Sequence, residues 1–260
     1  MYKRQNNPVL KNLPQADQQG YGYQSPQVAD AERPMTIDDV VSKTGITLAV
    51  IVVFAVANFM LGLSNAGLAI MLTFGGAIGA FITVLVHAFS KKFGSKTLTL
   101  IYAAFEGLFV GGFSFLFAGM RVGDSSGSMI VFQAIVGTIG VFLGMLVVYR
   151  TGAIRVTPRF NRILTGLIFG VAIMALGNFL LAIFTGINPL RGGGTLAIIF
   201  GLVCVVLAAL SFLQDFDVAD KLVRTGAPAQ AAWGVALGLA VTLVWLYTEI
   251  LRLLYLFQER

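Results

Sequence analysis

Charged side chains inside apolar stretches are the residues of this chain that could do chemistry. The last apolar stretch, residues 232–257, contains Glu249 and Arg252, three positions apart and near its end. It is long enough to cross a bilayer, for which roughly 20 apolar residues suffice. A lone charge at the centre of a membrane costs at least about 2.5–3.5 kcal/mol. We therefore expect Glu249 to face protein or water rather than lipid, inside a bundle of helices.

Further acids lie in two other apolar stretches. Asp215, Asp217 and Asp220 close the stretch before the last one, and Glu106 lies well inside the third. On a helix, Asp215 and Asp217 point roughly 200° apart, so only one of them can face the axis of a bundle. Glu106 needs a proton or a partner at this depth. It is either a structural acid or part of a polar path.

An acid from each of the last two stretches could form a sensor. If Asp215 and Glu249 were close together, they could not both ionise cheaply and would share a proton. Ca²⁺ could replace that proton, because hard cations favour oxygen ligands. Such a pair would respond to both pH and calcium, but it forms only if the two helices bend or tilt toward each other. Arg252 could instead pair with an acid and act as a latch.

The residues needed for most enzyme chemistry are missing from the sequence. His87 is the only histidine, Cys204 is the only cysteine, and no zinc motif, phosphate-binding loop or dinucleotide fingerprint occurs. A transition-metal site or haem is therefore not expected. We predict a protein that is not an enzyme and has no cofactor apart from possible Ca²⁺.

The composition indicates an integral membrane protein. Hydrophobic residues make up 57% of the 260 residues and charged residues 12%, whereas a soluble domain carries about 25% charged residues. Apolar runs of helical length favour an all-α bundle in a lipid bilayer over a β-barrel. The net charge of +6 is better explained by membrane orientation than by nucleic-acid binding.

The chain divides into a tail and a helical domain. Residues 1–35 are polar, rich in proline and without apolar periodicity, so we predict a disordered N-terminal tail. Thr36 and Asp39 have the spacing of a helix N-cap, and a short interfacial helix should lead into the first span. We predict a seven-helix transmembrane domain over residues 36–260. Its spans are expected near 45–64, 68–89, 97–118, 129–149, 163–186, 195–216 and 233–257.

Lysine and arginine predict the orientation of these spans. They concentrate in the tail and in the connections after the second, fourth and sixth spans. Positively charged connections stay in the cytoplasm. The N-terminus is therefore expected in the cytoplasm and the C-terminus outside. No short apolar segment with a small-residue cleavage site opens the sequence, so we expect no cleavable signal peptide.

Five spans contain two glycines four residues apart. Such pairs lie on one helix face and allow two helices to approach closely. We expect most of them to pack helices within one molecule, with dimer formation as the alternative. The pairs are Gly75/Gly79, Gly107/Gly111, Gly140/Gly144, Gly166/Gly170 and Gly234/Gly238.

Two motifs indicate a family. Leu-Gln-Asp-Phe-Asp at 213–217 and Trp-Leu-Tyr-Thr-Glu-Ile-Leu-Arg-Leu-Leu at 245–254 resemble the transmembrane Bax-inhibitor-motif family in its bacterial YccA-like branch. Tyr-Ala-Ala-Phe-Glu-Gly at 102–107 is a weaker match. The resemblance covers residues 36–260. It implies seven helices with the last one central, in the bacterial inner (plasma) membrane.

The resemblance also implies a function. Members of the family are described as pH-sensitive calcium leak channels gated by a pair of acids on the sixth and seventh helices. In this chain those acids fall on Asp215, with Asp217 as a shifted register, and on Glu249, where the family usually has aspartate. The alternative is a non-conducting regulator that binds other membrane proteins, such as a membrane AAA protease.

Overall fold

Seven α-helices and one short hairpin make up the part of the chain that the computed structural model describes, namely residues 33–90, 94–122, 125–190, 192 and 194–258. The predicted disorder of residues 1–32 lies outside this part. All seven helices are long and apolar enough to cross a membrane. They are α1 (Ile37–Ser64), α2 (Ala66–Phe89), α3 (Lys96–Ala118), α4 (Gly127–Thr151), α5 (Pro158–Thr185), α6 (Thr195–Arg224) and α7 (Ala231–Gln258). Strands β1 (Arg121–Val122) and β2 (Ser125–Ser126) pair antiparallel between α3 and α4.

The last of these helices forms the centre of the bundle. Helix α7 packs against α1, α3, α4 and α6, and most of its residues are buried. Helix α5 packs mainly on α6 and lies at the periphery. The prediction of an all-α membrane protein with seven spans and a central last helix is confirmed.

Several helices extend beyond the predicted spans because polar residues continue them. Thr36 and Asp39 form the expected capping box, but α1 runs without interruption into the first span instead of forming a separate interfacial helix. Helix α6 ends at Arg224 rather than near residue 216. Its additional turns carry ion pairs four residues apart, a spacing that stabilises helices.

Residues 33–35 make backbone contacts ahead of the first helix. The backbone N–H of Met35 donates to the carbonyl of Ala227 at 2.7 Å, and that of Ala229 donates to the carbonyl of Arg33 at 2.8 Å. Met35 is only 2% exposed. Residues 33–35, here called the N-terminal strap, therefore belong to the helical domain, although the sequence placed them in the tail.

The glycine pairs differ in their surroundings, and those of α3, α4 and α5 show the contrast. A Cβ on Gly111 would lie 2.1 Å from the Ala55 carbonyl oxygen, and one on Gly107 would lie 2.5 Å from that of Ile51. This pair allows α1 and α3 to touch backbone to backbone, as expected for packing within one molecule. In α4 and α5 the added Cβ atoms would meet nothing within 4 Å, so packing within one molecule is wrong for Gly140, Gly144, Gly166 and Gly170.

Candidate functional site

A buried ion pair lies on the central helix. Arg252 donates to Glu249 Oε2 from Nε at 3.1 Å and from Nη2 at 2.6 Å. The two residues are 8% and 4% exposed. Because they are three positions apart on α7, both side chains lie on the same face of the helix. The two charges therefore neutralise each other inside the bundle. This agrees with the expectation that Glu249 faces protein or water rather than lipid.

The guanidinium also contacts the surroundings of α7. Arg252 Nη1 donates to the carbonyl oxygen of Leu190, in the connection between α5 and α6, at 3.4 Å. A Cβ on Gly201 of α6 would lie 3.1 Å from Arg252 Nη2. Gly201 thus leaves the space that the buried guanidinium occupies. The predicted latch candidate Arg252 joins Glu249 to the α5–α6 connection.

Asp215 contacts the central helix at a different level. Thr242 Oγ1 of α7 donates to Asp215 Oδ2 at 2.7 Å. One turn earlier on α7, a Cβ on Gly238 would lie 3.7 Å from Asp215 Oδ1. The carboxyl group therefore rests on the α7 backbone at Gly238 and is held there by Thr242.

The two acids of the expected sensor are not brought together in this arrangement. Thr242 and Glu249 are seven residues apart, which is about 10 Å along a helix axis. Calcium requires oxygen ligands at about 2.3–2.6 Å, and in this arrangement each carboxylate has a different partner on α7. Among the described residues, no group of three or more histidine, cysteine, aspartate or glutamate side chains could hold a metal ion.

Asp217 lies away from the central helix. It forms an ion pair with Lys221 of the same helix, and the lysine side chain is 62% exposed. Asp220 pairs with Arg224 at 2.8 Å in the same way. Only one of Asp215 and Asp217 faces the bundle, as their angular separation predicted, and that residue is Asp215.

Glu106 lines a cavity between α2, α3 and α7. The cavity has a volume of about 290 Å³. Tyr102 and Glu106, one turn apart on α3, both line it. The cavity is lined by Ala77, Ala80, Phe81, Val84, Tyr102, Glu106, Phe109, Val241, Val244, Trp245 and Thr248.

A sequence model of the family described as Bax inhibitor 1 like matches residues 7–259. The chain belongs to the Bax inhibitor 1-like family. The match confirms, at the level of the family, the resemblance carried by residues 213–217 and 245–254. No curated protein matches the chain. Bax inhibitor 1-like proteins are in general non-enzymatic membrane proteins.

In this Bax inhibitor 1-like protein, a second polar cluster holds the start of α7 and was not predicted. Lys43 Nζ of α1 donates to the Ala229 carbonyl oxygen at 2.6 Å. Lys43 and Lys96 lie 5.9 and 5.8 Å from the centre of the Trp233 ring, within range of a cation–π interaction. Thr99 of α3 donates to the Trp233 carbonyl oxygen at 3.0 Å. These contacts link the α6–α7 turn to α1 and α3.

Thr242, which contacts Asp215, was also not predicted in this family member. A signal for it existed, because Thr242 is a polar residue in an apolar run and lies two turns before Glu249, on nearly the same helix face. A search for polar residues seven positions from Glu249 would have found it. Nothing in the sequence would have paired it with Asp215.

Proposed function

We propose that this protein is a pH-sensitive cation leak channel, with calcium as the expected ion. The observation that carries the proposal is the distribution of charged groups along α7. Asp215 binds Thr242 and Glu249 binds Arg252, each inside the bundle. Ionisable groups within membrane helices commonly line ion pathways or act as proton sensors. The arrangement supports a closed state in which each acid has its own partner.

Proton sensing follows from the chemistry of these two contacts. Protonation of Glu249 would remove its charge and leave Arg252 as an uncompensated buried cation. An unpaired buried charge is strongly destabilising, so acidification favours a state in which Arg252 reaches water. The ion pair between Glu249 and Arg252 stabilises the closed state. Cation leak is therefore expected to increase on acidification.

A direct pair between Asp215 and Glu249 would require α6 to move along α7 by about two turns, roughly 10 Å. We therefore assign the two acids separate roles. Asp215 fixes α6 on α7, and Glu249 with Arg252 controls whether the bundle stays closed.

The proposed membrane is the bacterial plasma membrane, with the N-terminus in the cytoplasm. This orientation is proposed because lysines and arginines concentrate in the connections on the same side as the N-terminus.

Calcium flux into liposomes that contain the purified protein tests this proposal. The wild type should conduct more at acidic pH than at alkaline pH. Glu249→Gln should conduct at both pH values, because it imitates the protonated acid permanently. Asp217→Asn is the control, since this acid of α6 pairs with Lys221 of its own helix. Absence of flux at every pH from folded protein would contradict the channel.

A non-conducting regulator that binds other membrane proteins, such as a membrane AAA protease, is the second candidate. The N-terminal strap favours it, because residues 33–35 connect residues 1–32 directly to the α6–α7 turn. Deleting residues 2–32 separates the two functions. A regulator that docks through its tail should lose its partner, whereas a channel should still conduct.

A further inference from the structure

The cavity at Glu106 has no part in the function proposed above. Glu106 is ten residues from the start of α3 at Lys96, which is about 15 Å along the helix axis. This is half the thickness of a hydrocarbon core of about 30 Å. On α7 the lining residues 241–248 surround the midpoint of the helix. The cavity therefore lies near the middle of the membrane.

The lining combines one acid with apolar walls. Alanine, valine and aromatic side chains form most of it, and none of the described lining residues is a cation. Beside Glu106, the lining side chains that carry a hydroxyl group are Tyr102 and Thr248, whereas an ionised carboxylate offers about four acceptor positions. The Thr248 hydroxyl donates to the Trp245 carbonyl oxygen at 2.9 Å. The carboxyl group thus retains acceptor capacity toward the cavity.

The cavity is accessible from the periphery of the bundle. Phe81 of α2 is 64% exposed, and this residue forms one side of the cavity. A side chain exposed at this depth of a membrane bundle faces lipid. Ligands can therefore enter from the bilayer, which selects molecules that dissolve in it.

We infer that this cavity binds a hydrophobic primary amine, with the amine nitrogen at Glu106 and the apolar chain against the alanine and valine walls. The amine enters from the lipid as the neutral base. The Glu106 carboxylic acid transfers its proton to the nitrogen, which gives an ammonium–carboxylate pair and breaks no other bond. Charge-assisted hydrogen bonds of this kind are about twice as strong as neutral ones.

Other occupants fit the site less well. Ca²⁺ takes about six to eight oxygen ligands, and the side chains lining the cavity offer one carboxyl group and two hydroxyl groups. The headgroup of a phospholipid stays at the membrane surface, about 15 Å from this depth. A volume of about 290 Å³ is close to the lower end of small-molecule sites, about 300–1,000 Å³, and suits a single short chain.

Fluorescence quenching tests the inference, because Trp245 lines the cavity. A full-length Trp233→Phe variant has Trp245 as its only tryptophan and is reconstituted into phosphatidylcholine vesicles. Decylamine carrying a bromine at its far end is titrated in, and decanol with the same bromine is the uncharged control. We expect saturable quenching by the amine and only gradual, unsaturated quenching by the alcohol.

Variants in this background decide the role of the carboxyl group. Glu106→Gln should raise the half-saturating amine concentration about tenfold or more. The variant cannot form the ammonium–carboxylate pair, and hydrogen bonds to charged groups are stronger than those between neutral groups. Ala77→Leu should abolish saturation by filling the cavity, and Asp220→Asn, an acid outside the cavity, should change nothing. Equal quenching by amine and alcohol, or unchanged amine binding in Glu106→Gln, would overturn the inference. If the Glu106→Gln variant shows no thermal unfolding transition, the Ala77→Leu variant decides the question on its own. Saturable quenching by the amine in Ala77→Leu would then also overturn the inference.

Discussion

Arg252 Nη2 lies 2.6 Å from Glu249 Oε2, and the same guanidinium reaches the Leu190 carbonyl oxygen through Nη1 at 3.4 Å. One side chain therefore joins the acid of the central helix to the connection between α5 and α6. Because both members of the pair are buried, the contact depends on the charge of each.

Removing one member of this pair should destabilise the protein strongly. Arg252→Met leaves the Glu249 carboxylate buried without its guanidinium, and breaking a buried pair costs about 3–5 kcal/mol. The double variant Glu249→Gln/Arg252→Met should recover a large part of that loss, because no unpaired charge remains. Unfolding in lipid nanodiscs measures both. Lys221→Met is the control, since the Lys221 side chain is 62% exposed and an ion pair at the surface contributes at most about 1 kcal/mol. Equal losses in the single and double variants would show that the pair does not act through its charges.

The contact between Asp215 and Thr242 should depend on the hydroxyl group rather than on side-chain shape. Thr242→Val keeps the shape but leaves the Asp215 carboxyl group without its donor, which costs about 1–3 kcal/mol. Thr242→Ser keeps the donor and should remain close to wild type. Thermal unfolding of the two variants checks this. A Thr242→Ser variant as unstable as Thr242→Val would assign the effect to the lost methyl group.

Close helix packing predicts opposite outcomes at two glycines. Gly111→Ala places a Cβ 2.1 Å from the Ala55 carbonyl oxygen, so α1 and α3 must separate, and overpacking of this kind costs about 1–3 kcal/mol. Gly144→Ala meets nothing within 4 Å and should be neutral or slightly stabilising. The comparison requires only the two unfolding curves. A larger loss for Gly144→Ala would mean that α4 packs against something outside this chain.

Truncations should show that the helical domain begins at the N-terminal strap. Deleting residues 2–32 should leave the unfolding temperature nearly unchanged. Met35→Ala in the full chain should lower the free energy of unfolding by about 2–5 kcal/mol, because Met35 is buried and truncating a buried methionine leaves a cavity. Limited proteolysis and thermal unfolding test both statements. Equal stability of Met35→Ala and wild type would mean that the strap is dispensable.

The fold could be predicted from the sequence because the bilayer requires one long apolar helix per crossing. The ends of the spans were less predictable where polar residues continue a helix. Asp217 and Asp220 suggested the end of α6, but their partners four residues later carry the helix to Arg224. Asp217 and Asp220 are compatible with a continuing helix α6 because each acid forms an ion pair with a basic residue one turn later.

The site was predictable at the level of residue types and less so at the level of partners. Glu249 with Arg252 follows from a spacing of three on one helix. The contact of Asp215 with Thr242 depends on how far α6 and α7 are offset along their axes, and no local sequence pattern predicts this offset. The same applies to Lys43 and Ala229, which are 186 positions apart. Long-range contacts of this kind result from the packing of the whole bundle.

The central position of α7 has a consequence for biogenesis. Chains fold during synthesis from the N-terminus onward, and the helix that α1, α3, α4 and α6 surround is the last of the seven to leave the ribosome. Helices α1 and α3 can pack against each other before that step, but the common partner of α1, α3, α4 and α6 is missing until α7 is inserted. Insertion of α7 would then be the step that commits the whole domain to its final structure. A premature stop codon near Ala231 would remove about a tenth of the chain, yet it would eliminate the helix around which the bundle assembles.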